Sequence, residues 1–188
     1  MIFVKNPVLG KVKTRLAKSI GEAKALWVYE ALLQHTHQLT DSLPVDKAVF
    51  YADFVPETDL WDGYAKYLQS EGDLGHRMQA AFAQSFGRGY QKIVIIGSDC
   101  YELTSSHLEA AFSTLNQYPV VIGPAHDGGY YLLGMTKPRP FLFENKPWST
   151  NQVLPLTRAD LQQHQTPWAE LPTLRDIDEA QDLPPHWQ

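Results

Sequence analysis

At 188 residues, with 44% hydrophobic and 20% charged side chains, the chain is long enough to bury a full core and is neither disordered nor fibrous in composition. A net charge of −5 argues against nucleic acid as the main partner, and the single cysteine, Cys100, excludes an internal disulfide framework. No apolar run approaches the ~20 residues of a membrane span or the long apolar region of a signal peptide, so the expectation is a cytoplasmic protein.

The opening "MIFV" (1–4) reads as a short buried strand. It runs into "NPVLGKVKTRL" (6–16), which looks like a phosphate loop but breaks the rule for one. A Walker loop, G-x-x-x-x-G-K-[ST], needs glycine before Lys13-Thr14, where this chain has Val12, and another glycine where it has Pro7. What remains is a flexible Gly10 followed by Lys11, Lys13 and Arg15, leading into a helix whose N-terminal amides and dipole favour an anion. A phosphate chain fits this stretch. A turn leading into the exposed basic face of a helix fits the spacing equally well.

The segment "EAKALWVYEALLQHTHQL" (22–39) places Ala25, Val28, Tyr29, Leu32 and Leu33 on one helix face, and "KAVFYA" (47–52) reads as a second strand. After a less regular stretch, "DLGHRMQAAFAQSF" (73–86) predicts a helix capped by Asp73 and ended by Gly87 and Gly89. "KIVIIGSDC" (92–100) is the clearest strand, and "SSHLEAAFSTL" (105–115) the next helix. Two further strands follow in "YPVVIGPA" (118–125) and "YYLLGM" (130–135), then a helix from Thr150 through Leu161 and a proline-rich close. This β-α-β-α rhythm predicts a mainly parallel sheet covered by helices on both faces, in a single domain over residues 1–188.

In such sheets ligands bind beyond the carboxyl ends of the strands. Asp99, closing the strongest strand, is costly to desolvate without a partner. A divalent cation bridging to phosphate oxygens would supply one, and so would a role capping the next turn, for which Thr104 and Ser105 compete. In "GPAHDGGYYLLG" (123–134) the Asp-Gly pair is a standard hairpin turn. His126 and Asp127 also stand where a ligand would be, and either is a candidate base. In "DIDEAQDL" (176–183) Asp176 and Asp178 project to one side if extended; alternatively Asp178 caps a short helix. Charge is polarised along the chain. Residues 1–24 carry six lysines and arginines against Glu22, and residues 170–188 carry five acids against Arg175. These are either two solvated segments or a phosphate-binding end and a metal-binding end that folding brings together.

The blocks "FVKNPVLGKVKTRLA", "GDLGHRM", "IIGSDC", "GPAHDGGYYLLG", "KPWST" and "DIDEAQDL" resemble, in that order, the bacterial glycosyltransferase-like family labelled radical-SAM/selenodomain-associated transferase. That family belongs to the nucleotide-diphospho-sugar transferase superfamily. The resemblance implies the GT-A type of three-layer α/β/α sandwich with a mostly parallel sheet. It implies Mg²⁺ or Mn²⁺ held by Asp99 and Asp178, and nucleotide phosphates contacted by Gly10, Lys13, Thr14 and Arg15. His126, Gly128, Gly129 and Tyr130 would lie on the acceptor side, with Asp127, Lys13 and Arg15 taking part in catalysis. The chain departs from the family in having Tyr101 where proline usually follows "DC", and in starting within two residues of "FVKNP", which predicts a shortened first strand. The substrates implied are a nucleotide or nucleotide sugar and a small-molecule acceptor. The first reading is metal-dependent glycosyl transfer from a nucleotide-activated sugar. The alternatives are guanylyltransferase-like nucleotidyl transfer to a small phosphorylated acceptor with release of pyrophosphate, and a non-catalytic nucleotide-binding protein.

Overall fold

The structure is a computed structural model that describes residues 1–187. Its elements follow in the order β1 (Ile2–Val4), α1 (Thr14–Ile20), α2 (Glu22–Asp41), β2 (Ala48–Tyr51), β3 (Ala65–Leu68), α3 (Leu74–Gly87) and β4 (Ile93–Ile96). Then come α4 (Ser105–Thr114), β5 (Val120–Pro124), β6 (Tyr130–Met135), α5 (Val153–Gln163) and β7 (Trp168–Glu170). All seven strands form one sheet in the order β3-β2-β1-β4-β6-β5-β7. Every pairing is parallel except the two made by β6.

Adjacent strand residues point to opposite faces, and each face has its own core. Val94 and Ile96 of β4 join Val121, Tyr131 and Leu132 beneath Tyr29 and Leu33 of α2 and Leu108 and Ala111 of α4. Ile93 and Ile95 join Val120, Ile122, Leu133 and Met135 beneath Met78 and Phe82 of α3 and Leu154 and Leu161 of α5. The unbroken apolar runs of β4 and β5 are thus strands buried on both faces, which is why they were the plainest in the sequence. The result is the three-layer, mostly parallel α/β/α arrangement the sequence predicts.

A third apolar cluster fixes the carboxyl-terminal segment. Leu16 of α1 and Ala25, Val28 and Leu32 of α2 enclose Ile177, Leu183 and Trp187. The basic and acidic ends of the chain therefore meet. Among the described residues no helix is long and apolar enough to cross a membrane.

The helix expected to follow the basic run is the seven-residue α1, whereas the edge strand β3 and the short edge strand β7 were not predicted. Neither edge strand is buried on both faces, so neither gives a continuous apolar run. The last helix begins at Val153 rather than Thr150. Thr150 Oγ1 instead accepts from Gln152 N at 3.3 Å in a turn that precedes the helix. "GPAHDGGYYLLG" does form the antiparallel hairpin anticipated as its plainer explanation, and that hairpin turns at the carboxyl end of the parallel strands. Its turn therefore faces the ligand-binding edge.

Candidate functional site

A crevice of about 900 Å³ runs along the carboxyl ends of β1 and β4, between the loop after β1, the start of α3, the hairpin turn with the first residues of β6, and the carboxyl-terminal segment. Beside it Asn6, only 2% exposed, clips the loop after β1 to the loop after β2. Its Nδ2 donates to Phe54 O at 2.9 Å, and its Oδ1 accepts from the backbone N–H groups of Asp53 and Phe54 at 3.1 and 3.3 Å. Tyr29 Oη accepts from Lys5 N at 2.8 Å and donates to Lys5 O at 3.1 Å, bracing the same loop from α2.

Lys13 takes the left-handed conformation (φ 48°, ψ 42°) immediately before α1, which turns its side chain inward. Lys13 Nζ donates to Ile177 O at 2.5 Å and lies 2.7 Å from Asp99 Oδ1 and 3.6 Å from Asp178 Oδ1. The lysine side chain is 5% exposed, whereas Asp99 and Asp178 are 47% and 40% exposed. Asp99 Oδ1 is itself buried, and it makes no directed hydrogen bond despite the nearby ammonium. The contact is Coulombic, outside hydrogen-bonding angles. Arg15 lies further out, 64% exposed, with Nη1 3.5 Å from Asp178 Oδ2. Thr14 lines the crevice between these two cations. Gly10 does not line it; with φ 75° it forms the turn ahead of the basic run, beside the carboxylate of Glu22.

The carboxyl-terminal segment is held by its backbone, which leaves its acids available. Ile177 N donates to Asp99 O at 2.9 Å, His126 N to Leu174 O at 3.0 Å, and Leu174 bridges Ala125. Asp178 is not the cap of the short turn that follows. Glu179 takes that position, and Asp182 Oδ2 accepts from the N–H groups of Asp178 and Glu179 at 3.2 and 2.9 Å. Asp99 is likewise no cap, because Thr104 begins α4. Asp176 also lines the crevice, and burial, then the charges of Asp99 and Asp127, push its carboxyl up to about 7.

At the hairpin turn Asp127 Oδ1 accepts from Gly129 N at 2.8 Å, and the exposed carboxylate borders the crevice. Gly129 and Tyr130 border it too, while His126 is exposed and outside the lining. Tyr130 Oη is buried without a hydrogen-bond partner, and burial raises its pKa. Gly128 is required at φ 88°, since a Cβ there would lie 2.4 Å from Asn151 O. Opposite, Trp148 lies against the backbone of Gly75 in α3, where a Cβ would come within 2.1 Å of the indole Nε1.

Sequence reasoning singled out neither Asn6, Gln69, Arg77 nor Trp148 as contributors. Gln69 Nε2 donates to Phe50 O at 2.9 Å, and Arg77 Nε donates to Gly72 O at 2.9 Å, both on the crevice wall. Arg77 and Trp148 do fall inside the "GDLGHRM" and "KPWST" blocks, which were the available signal.

The residues present fit a hard divalent cation. Two carboxylates from distant parts of the chain share one cation position, and one of their oxygens is buried without a hydrogen bond. Among the described residues no group of three or more His, Cys, Asp or Glu is poised as a metal site. The protein thus offers one or two carboxylates, with water and substrate phosphates left to complete the coordination, as is usual for Mg²⁺.

Residues 34–150 match the sequence profile of a family described as an uncharacterized protein conserved in bacteria, DUF2064. The crystal structure of a putative nucleotide-diphospho-sugar transferase from Desulfovibrio desulfuricans G20 is 32% identical, with a TM-score of 0.87 over 95% of this chain and 80% of that one. Two more distant structures share the fold. The inositol-1-phosphate CTP transferase from T. maritima is 12% identical, with a TM-score of 0.58 over 98% and 91% of the two chains. Rv0371C in complex with manganese, from Mycobacterium tuberculosis H37Rv, is 14% identical, with a TM-score of 0.56 over 96% and 93%. No curated protein is significantly similar in sequence.

Proposed function

We propose that this chain, which belongs to the bacterial DUF2064 family, is a nucleotide-utilising transferase that moves a sugar from a nucleotide-diphospho-sugar to a small acceptor. The observation that carries the reading is the meeting of Lys13, Asp99 and Asp178 in the crevice at the carboxyl edge of the sheet. Its relative from Desulfovibrio desulfuricans G20, named as a putative nucleotide-diphospho-sugar transferase, supports it.

In this reading Asp99 and Asp178 hold Mg²⁺ or Mn²⁺, which when bound neutralises charge on the departing nucleoside diphosphate. Arg15, exposed beside Asp178, and Thr14 meet the phosphates, with Gly10 shaping the turn that presents them. Lys13 contributes the second positive charge of the phosphate side. On the acceptor side Gly128 and Gly129 allow close approach of backbone, and Tyr130 Oη offers an unused donor. Asp127 is the base. The Gly129 N–H fixes its Oδ1, leaving Oδ2 to take the proton of the acceptor hydroxyl as that oxygen bonds to the anomeric carbon and the sugar-phosphate bond breaks. His126, outside the lining, contributes at most at the rim.

A second reading is favoured by the convergence of Lys13 and Arg15 on Asp178. A phosphorylated acceptor would attack the α-phosphate of a nucleoside triphosphate, and the cations would stabilise the departing pyrophosphate. Incubation with nucleotide sugars, nucleoside triphosphates and a metabolite extract separates the two. Nucleoside diphosphate release that requires Asp99 is the expected result. Pyrophosphate release establishes the second reading, and binding without either product overturns both in favour of a non-catalytic nucleotide-binding protein.

A further inference from the structure

Lys13 does not stand where a simple phosphate ligand would. Arg15, two residues on, projects into solvent, while the Lys13 ammonium lies behind the crevice surface, pressed against Ile177 O, Asp99 Oδ1 and Asp178 Oδ1. A divalent ion bridging Asp99 and Asp178 needs these carboxylate oxygens at 2.0–2.1 Å for Mg²⁺ or about that for Mn²⁺. An ammonium 2.7 Å from Asp99 Oδ1 fills that space, and two cations so close in a half-buried site repel strongly. The left-handed backbone of Lys13 is a conformation that L-residues other than glycine and asparagine adopt at a cost. Pairing of the ammonium offsets that cost.

We propose that Lys13 is the resident counter-ion of the metal-free site, competes with the divalent cation for Asp99 and Asp178, and passes to the substrate phosphates when the metal enters. This rests on the metal reading above. It reconciles the two positions asked of Lys13: among the carboxylates, where the structure has it, and on the phosphates once metal and nucleotide bind. It also makes metal and nucleotide bind with positive coupling, because phosphate gives the expelled ammonium a new partner and linkage makes the effect reciprocal. The free protein then takes up metal poorly, and its acidic cluster stays compensated without one.

The test is calorimetric titration of Mn²⁺ into the wild-type protein and Lys13→Met, each with and without pyrophosphate. Without pyrophosphate, K13M is expected to bind Mn²⁺ about tenfold more tightly or better, since a competing charge has gone. Pyrophosphate is expected to tighten Mn²⁺ binding far more in the wild type than in K13M. Adding Asp99→Asn to K13M should abolish the gain; a gain that survives D99N overturns the proposal, because the ion then sits elsewhere. Equal Mn²⁺ affinities in wild type and K13M overturn the competition while leaving the metal reading standing. No Mn²⁺ binding by either protein, even with pyrophosphate, overturns the metal reading and the competition together. A measurement on the wild type avoids reliance on the variant's folding. The Lys13 ammonium, assigned in ¹⁵N NMR by its loss in Lys13→Arg, should shift and exchange faster with water as Mg²⁺ saturates the protein. An unchanged signal while Mg²⁺ is bound refutes the exchange.

Discussion

Gly75→Ala sets two ordinary rules against each other. In an exposed helix, replacing glycine by alanine stabilises by about 1 kcal/mol. Gly75 is buried in the first turn of α3, and the new methyl would lie 2.1, 2.3 and 2.5 Å from Nε1, Cε2 and Cζ2 of Trp148. None of these distances is tolerable, and all three belong to one rigid ring, so the indole must move as a body. Phe143 stacks on it with ring centroids 6.4 Å apart, and the buried Lys146–Asp160 pair anchors the loop that carries it. Overpacking costs about 1–3 kcal/mol; three such contacts on one rigid ring put this site in the upper part of that range, about 2–3 kcal/mol, so after the helix gain the net expectation is a loss of about 1–2 kcal/mol. For a chain of this length that lowers Tm by about 2–8 °C. The assay is thermal and urea denaturation of wild type, G75A, W148A and the double variant. With the ring gone the methyl has room, so G75A in the W148A background should be neutral or stabilising, giving a coupling of about 2 kcal/mol. Because Trp148 walls the crevice, G75A should also raise KM for the nucleotide substrate. A Tm for G75A equal to or above wild type, or the same loss with and without Trp148, refutes the reasoning.

Lys146 and Asp160 form an ion pair of unequal burial, with side chains 1% and 28% exposed. D160N should therefore cost more stability than K146M, about 3 against about 1–2 kcal/mol by urea denaturation, because it leaves the more deeply buried charge unpaired. Asn6→Ala removes three hydrogen bonds between the loops after β1 and β2 and should cost about 2–3 kcal/mol. Amide exchange should accelerate at Asp53 and Phe54 before the rest of the sheet. Gly128→Ala meets a backbone oxygen that cannot rotate away, at a positive φ; it should lose at least about 2 kcal/mol and most transferase turnover, measured as product release.

The fold was legible wherever burial was symmetric. β4 and β5, apolar on both faces, announced themselves, and the face of α2 was predicted correctly through Ala25, Val28, Tyr29, Leu32 and Leu33. The edge strands β3 and β7 were illegible because half-buried residues carry no strong period. The meeting of residues at the candidate site was legible where a charge stood at a strand end, as with Asp99, or in a polarised run, as with Lys13 and Asp178. Orientation was not. That Lys13 turns inward while Arg15 turns outward depends on one left-handed residue, which a lysine codon does not advertise. Asn6 and Gln69 also stayed hidden, because a polar residue that pairs with backbone looks like any loop residue until the partners are in place.

Ile177, Leu183 and Trp187 complete the apolar cluster begun by Leu16, Val28 and Leu32, so the segment after β7 is pinned to α1 and α2 by its apolar residues while Asp176 and Asp178 turn to the crevice. The charge cluster draws on segments far apart in the chain: Lys13 from the loop after β1, Asp99 from the end of β4, and Ile177 O and Asp178 from beyond β7. Since a domain folds as a unit, this cluster forms only when all three segments are in place. A chain truncated after β7 would uncover Leu16, Val28 and Leu32 and deprive Lys13 of Ile177 O and Asp178 together, so the stability of the helical layer and the charge balance of the crevice depend on one segment.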